Sequence, residues 1–253
     1  KKHEFDGLSI EWQYPVCWQA DCKKGSPAEK QGFVALAKVL KNEFSKNNLI
    51  LSASLPGFKV VAEKGYNVIE LAKYLDMVNI NTYDYRGYWD GKTGHHSPIR
   101  DKINKGADDM DNMMSYYTNK GFAKTQINVG IPLYGQTFQL ASPMAAHGLS
   151  DATIGPGMPG EFTQQQGMLS YAEICKNVKY NILTKVAGSN DQGPYAYNTR
   201  SGLWVGYDDI KSASLKASYV RDKGYGGAAI WPLVCDDFNN VCCNGRSGIL
   251  RGV

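Results

Sequence analysis

No apolar run in the 253-residue chain approaches 18 residues, so the sequence holds no segment of the length and character of a transmembrane helix. Its first residues, Lys1-Lys2-His3-Glu4-Phe5-Asp6, do not lead into the apolar stretch of a secretory signal peptide. That absence is no argument for the cytosol, because mature chains lack their signal too. No Asn-x-Ser/Thr acceptor for glycosylation is present. Charge of one sign is not in excess: 28 Lys+Arg stand against 24 Asp+Glu, and the basic residues are spread along the chain. Nucleic acid therefore finds no basic stripe to meet. The four histidines, His3, His95, His96 and His147, do not group with the cysteines, which argues against a zinc centre, and no cofactor or metal is expected. What remains is globular in composition, with 43% hydrophobic and 11% aromatic residues, which excludes a disordered chain, and its 27 glycines follow no collagen period.

Six cysteines, Cys17, Cys22, Cys175, Cys235, Cys242 and Cys243, make an even total that three bridges in an oxidising compartment would consume, with plain thiols as the alternative. By length alone the chain matches a complete eight-stranded α/β barrel of about 250 residues. The element pattern tests that match. From Gly7 the residues alternate, with Leu8, Ile10 and Trp12 on one side and Ser9, Glu11 and Gln13 on the other, until Pro15 stops the strand. Ser26-Pro27-Ala28-Glu29 then reads as an N-cap, a proline at the first helical position and a capping-box acid, ahead of Phe33, Leu36, Ala37 and Leu40 at helical spacing. Further strands are expected at 49–55, 77–83 and 126–132, with helices at 67–74 and 103–118. Strands separated by helix-sized connections mean parallel α/β architecture. The next core strand, 228–231, comes about 100 residues later, too far for one crossover. Residues 138–205, rich in Gly, Gln, Ser and Tyr and holding a helix at 170–178, are read as an inserted α+β domain, so that 1–137 and 206–253 form the barrel part.

Four ordered stretches carry a resemblance: Asp6-Gly7-Leu8-Ser9-Ile10-Glu11-Trp12-Gln13-Tyr14-Pro15; Asn81-Thr82-Tyr83-Asp84-Tyr85-Arg86-Gly87; Gly130-Ile131-Pro132-Leu133-Tyr134-Gly135; and Ile230-Trp231-Pro232-Leu233 with Asp236-Asp237-Phe238. Together they resemble the family-18 glycoside hydrolases, the chitinases and chitinase-like proteins, and Tyr14-Pro15-Val16-Cys17-Trp18-Gln19 is similar to the arthropod branch. The resemblance runs over nearly the whole chain. It implies a TIM (β/α)8 barrel in which the first motif lies on the fourth strand, so this chain is expected to supply strands four to eight and to be a fragment of a longer protein. Five strands alone would leave open edges.

The resemblance also implies an activity, substrate-assisted hydrolysis of β-1,4-linked N-acetylglucosamine polymers, in which a motif glutamate protonates the glycosidic oxygen and the substrate's acetamido group attacks the anomeric carbon. The acid position is here Gln13, an amide with no carboxylic proton to give. Ser9 and Glu11 stand where the family has aspartates, Gln136 where it has an arginine, and Asn81 where it has a methionine. Tyr83 and Asp84 match the pair that contacts the acetamido group, Trp231 the floor beneath the central sugar, and Trp89 a cleft aromatic on the leaving-group side, while Tyr134 and Gln136 join the polar wall. A purely structural role competes for each of these, and Trp12 is expected in the core.

The leading expectation is a secreted, catalytically impaired chitinase-like domain that binds chitin or N-acetylglucosamine oligomers. One alternative is an active chitinase with a displaced acid at Glu11, and another is a growth-factor-like or structural interaction domain with a protein partner and a vestigial cleft. The resemblance further implies a bridge from Cys175 to Cys242 or Cys243 and a local Cys17–Cys22 bridge, with Cys235 a candidate for the remaining pair.

Overall fold

Apolar segments separated by helices become a parallel sheet in the computed structural model, which describes residues 4–104, 106–242 and 248–253. In chain order the strands are β1 (Gly7–Ile10), β2 (Ile50–Pro56), β3 (Met77–Asn81), β4 (Ile127–Pro132), β5 (Tyr134–Leu140), β6 (Thr153–Pro156), β7 (Met168–Ser170), β8 (Thr184–Val186), β9 (Tyr195–Tyr197), β10 (Leu203–Gly206) and β11 (Gly227–Trp231). The α-helices are α1 (Ala28–Ser45), α2 (Lys59–Gly65), α3 (Val68–Leu71), α4 (Met110–Asn119), α5 (Tyr171–Lys179) and α6 (Ile210–Lys223). Backbone contacts divide the chain into two compact units, one of Lys1–Thr82, Met110–Gly130 and Val220–Ala229, the other of Tyr83–Asp109, Ile131–Tyr219 and Ile230–Val253.

The first unit is built on a sheet in the order β1-β2-β3-β4-β11, with β1 to β4 paired in parallel. Leu51, Ala53 and Leu55 of β2, Val78 and Ile80 of β3 and Val129 of β4 are buried, every second residue of these strands, and the small Ser52 and Ser54 of β2 are buried as well. Phe33 and Ala37 of α1 and Met110, Met113, Met114 and Tyr117 of α4 are buried from the helical layer. Each such large side chain contributes about 1.5–3 kcal/mol of burial. Gly7 has no Cβ for a reason: one would stand 1.9 Å from the Ile50 carbonyl oxygen, so only glycine lets β1 lie this close to β2. Among the described residues β1 has a neighbour on one side only, and Leu8 remains 47% exposed.

Several local features depart from the sequence reading, among them the start of α4 at Met110 rather than 103 and the end of β3 at Asn81 rather than 83. The first strand ends at Ile10, not at Pro15, because its ladder with β2 runs only to the Ile10–Ala53 pair. Helix α1 starts at Ala28, with the Ser26 hydroxyl accepting the Ala28 N–H at 3.3 Å; the Glu29 carboxylate is bonded to the Ser26 main chain and also reaches further than a cap, its Oε2 accepting the Val16 N–H at 2.7 Å and the Trp18 indole N–H at 3.0 Å. The Val16 amide is the main reason the Glu29 carboxyl titrates below its usual range. The loop held this way is the one closed by the Cys17–Cys22 disulfide. Helix α2, seven residues long, was too short to show a helical period.

The second unit holds an antiparallel sheet in the order β6-β5-β10-β9-β8, with β7 on the free edge of part of β5. Leu133, Leu169, Ile174, Val205 and Tyr207 form one buried cluster and Phe138, Leu140 and Trp204 another. Helix α5 begins with a reciprocal capping box: Ser170 Oγ accepts the Glu173 N–H and Glu173 Oε2 accepts the Ser170 N–H. The Glu173 carboxylate also takes the Phe162 and Thr163 N–H groups, which fastens the preceding loop to the helix start. Cys175 of α5 is bridged to Cys242, with Cα atoms 5.9 Å apart. Cys235, the candidate for a third bridge, is a buried free thiol packed in the Leu133 cluster. Cys243 lies outside the described residues.

Candidate functional site

The first unit carries the motif residues of β1. Ser9 is on the strand, Glu11 and Gln13 follow its end, and all three are exposed. Parallel register sets Ser52 beside Ser9 and Ala53 beside Ile10, so Ser54 comes next along β2, and its hydroxyl donates to Glu11 Oε1. Ser9 Oγ donates to the same oxygen at 3.5 Å. Trp12 turns to the helical layer, with its ring edge-on to Phe33 at 6.2 Å and its carbonyl accepting from Tyr66 Oη at 3.0 Å. The Gln13 amide can donate and accept hydrogen bonds but carries no transferable proton.

The second unit builds a more enclosed arrangement around Asp84. Its backbone has φ +63°, a left-handed conformation that few residue types other than glycine, asparagine and aspartate adopt readily. Tyr134 and Gln136 are two residues apart on β5 and so project from one face. The Tyr134 hydroxyl and the Gln136 amide each donate to Asp84 Oδ1 at 2.8 Å. His96 lies behind, with Nδ1 3.5 Å from the same oxygen and Nε2 3.1 Å from the Tyr134 carbonyl oxygen. Burial pushes the Asp84 carboxyl up, but the polar groups around it, His96, Gln136 and Tyr134, outweigh it and leave the group below the ordinary aspartate range. It is thus an anion held ready, with 37% of its side chain still open to solvent.

Asp84 lines a cleft of about 450 Å³, the size of a small-molecule site, together with Tyr88, Trp89, Tyr134, Gln136, Gln165, Gln166, Gly167, Met168, Trp231 and Pro232. Trp231 is 57% and Trp89 56% exposed, unusual for rings of that size. Two local devices hold them. The Trp231 carbonyl accepts the Leu133 N–H at 2.7 Å at the end of β11. Trp89 sits on a 3₁₀ turn, Tyr88–Asp90, closed by the Asp90 carboxylate accepting the Gly87 N–H at 2.9 Å. A Cβ on Gly87 would lie 2.2 Å from the Trp89 ring, so the glycine lets the indole rest against the main chain. Tyr83 is not a wall residue of this cleft; its ring meets Tyr134 edge-on at 6.1 Å.

Among the described wall residues Asp84 is the sole acid, and three glutamines supply most of the other polar groups. Such a wall suits a neutral ligand with flat C–H faces, hydroxyls and an N–H for Asp84. It does not hold the carboxylate pair of ordinary glycoside hydrolysis. Cys175, Asp237 and Cys242 lie close enough together for a metal, but the two sulfurs are bridged and the carboxylate is engaged by the Val241 and Cys242 N–H groups, so the set does not fit one. Gln165, Gln166, Met168 and His96 were not singled out from the sequence. A Gln run before a glycine and a His-His pair before Ser-Pro have no period that would mark them.

A sequence profile of the glycosyl hydrolases family 18 matches residues 1–236. The chain is 40% identical over 258 residues to the "Probable chitinase 10" of Drosophila melanogaster, a match that covers 99% of this chain and 11% of that protein. Among solved structures, it is similar to the group II chitinase catalytic domain 2 of Ostrinia furnacalis at 38% identity and a TM-score of 0.93, over 100% of this chain and 66% of that one. It is also similar to human YKL-39, described as a pseudo-chitinase with retained chitooligosaccharide binding properties, at 32% identity and a TM-score of 0.88, over 100% of this chain and 69% of that one.

Proposed function

The chain belongs to the glycosyl hydrolases family 18, and from that premise we propose that it is a chitinase-like domain that binds chitin or N-acetylglucosamine oligosaccharides while its hydrolysis is impaired. The observation that carries the reading is the amide of Gln13 at the acid position of the motif, set against a cleft that keeps Asp84, Trp89 and Trp231. In this reading Trp231 takes the apolar face of the central sugar, Trp89 a neighbouring one, and Asp84 the acetamido N–H, with Tyr83 in support and Tyr134 and Gln136 fixing the carboxylate. An acetamido oxygen positioned for attack still needs a proton delivered to the leaving oxygen, and Gln13 has none to deliver.

The same reading takes the five strands as strands four to eight of a (β/α)8 barrel and residues 138–205 as the inserted domain; the short antiparallel strands β6 to β9 in that stretch support it. The two disulfides support an oxidising, extracellular setting. No helix among the described residues is long and apolar enough to cross a membrane.

Calorimetric titration with chitopentaose beside a matched hydrolysis assay tests the proposal. Saturable binding with turnover far below that of an active family member is the expected result. Absence of binding favours a domain with a protein partner, and turnover near the active level, lost in Glu11→Ala, would establish the displaced acid instead.

A further inference from the structure

Asp84 is held by more than the two donors of β5. His96 is 1% exposed and meets the Asp84 segment at three points. Its Nε2 faces the Tyr134 carbonyl oxygen at 3.1 Å, and since a carbonyl only accepts, Nε2 carries the ring hydrogen. That leaves Nδ1 as the acceptor of the Asp84 N–H at 3.4 Å, the amide of the residue in the left-handed conformation. The main-chain oxygen of His96 accepts the next amide, that of Tyr85, at 2.9 Å. Two consecutive N–H groups are thus fixed by one residue. The His96 ring also lies against the Tyr134 ring, centroids 5.1 Å apart, and the Tyr134 hydroxyl is one of the two donors to Asp84 Oδ1. The ring packed on His96 thus carries one of the two donors to Oδ1, and the Gln136 amide is the other. Asp84 Oδ2 takes no hydrogen bond from the described residues, so it is the atom left for a ligand N–H.

We propose that His96 is a positioning residue of the sugar site, which fixes the Asp84 backbone and carboxylate so that Oδ1 stays with Tyr134 and Gln136 and Oδ2 is presented to the ligand. Its location behind the wall gives it no ligand contact of its own. The ionisable groups that meet His96 are Asp84, Tyr134 and His95, and His95 in turn feels Asp208, Lys216 and Asp101. Burial holds His95 at a pKa of about 4, so it is neutral near pH 7 and adds no charge beside His96.

Two variants separate positioning from packing. In His96→Asn the side-chain oxygen can accept the Asp84 N–H as Nδ1 does; His96→Leu fills space without an acceptor. In ligand-free protein, the ¹³C signal of the Asp84 carboxyl is followed against pH, and its midpoint is expected to rise in His96→Leu and to rise less in His96→Asn. Chitopentaose affinity is expected to fall about tenfold or more in His96→Leu and to stay within about threefold in His96→Asn, the scale of a hydrogen bond to a charged group. A folded His96→Leu protein with the wild-type Asp84 midpoint and affinity would overturn the proposal. Should His96→Leu not fold, the wild type decides through its ¹⁵N imidazole spectrum: a ring protonated on Nε2 alone is expected, and a ring protonated on Nδ1 alone contradicts the geometry. The affinity arm rests on the sugar-binding reading above, but the carboxyl titration does not. Wild-type protein that fails to bind chitopentaose would therefore sink that reading and leave His96 to be judged on Asp84.

Discussion

At the end of β1 Glu11 and Gln13 stand exposed, Glu11 touched by the Ser54 and Ser9 hydroxyls and Gln13 presenting an amide. Around Asp84 the opposite holds: two 2.8 Å donors, a buried histidine and two exposed tryptophans define one anion and two flat surfaces. Binding a neutral sugar needs the second kind of construction, since aromatic faces and one oriented acceptor suffice. Cleaving it needs a group with a proton to deliver, which the Gln13 amide is not. In the proposed reading recognition and chemistry part in this chain because they rest on different strands.

The strongest way to break the comparison is to attack the polar interior of the second unit. Lys216 and Asp208 form an ion pair with side chains only 2% exposed, and Lys216 also donates to Ser97 at 2.7 Å. Lys216→Met strands the Asp208 carboxylate and is expected to cost about 3–5 kcal/mol in urea unfolding. In the first unit the Lys46–Glu43 pair, with both side chains more than 60% exposed, should yield less than about 1 kcal/mol to Lys46→Ala.

The disulfides give a second contrast. The Cys175–Cys242 bridge spans 67 residues and Cys17–Cys22 spans 5. If both act through chain entropy, Cys175→Ser costs about 4 kcal/mol and Cys17→Ser about 2 kcal/mol. Equal losses would mean that native contacts, not loop length, set the effect.

Acid should strike the second unit, which contains all the described histidines. His95 has a folded pKa of about 4 against an ordinary 6.5, lowered chiefly by burial. Between those values the unfolded chain binds one more proton, so stability falls as pH drops from about 6.5 to 4, by about 3 kcal/mol for this group. Unfolding curves at pH 7.5 and 4 should differ by that much less in His95→Gln. Smaller still is the effect of Trp231→Ala, expected to weaken chitopentaose binding by about 2 kcal/mol, or about thirtyfold, by calorimetry. Gln13→Glu closes the series: affinity should change by less than about threefold, the scale of a surface-exposed substitution.

The parallel strands were legible because β2, β3 and β4 alternate apolar residues with Ser, Asn or Gly over strand length, and α4 because Met110, Met113 and Met114 mark one helical side. Trp89, Trp231, Asp84 and Gln136 were singled out through motif context, and all four line one cleft. What stayed hidden depended on distance along the chain. His96 acts through residues 12 and 38 positions away, and the Gln165–Met168 stretch joins the wall only because β7 pairs with β5. Glu29 was legible as a helix-cap acid, but its further partners, Val16 and Trp18, lie in a separate loop. Local pattern cannot report such pairings, and the left-handed φ of Asp84 leaves no trace in an aspartate.

Native mass spectrometry of the protein after prolonged incubation with chitopentaose tests binding without cleavage in one spectrum. A one-to-one complex whose released ligand has the mass of the intact pentamer is the predicted result. Protein found empty beside accumulating dimer and trimer would contradict the account.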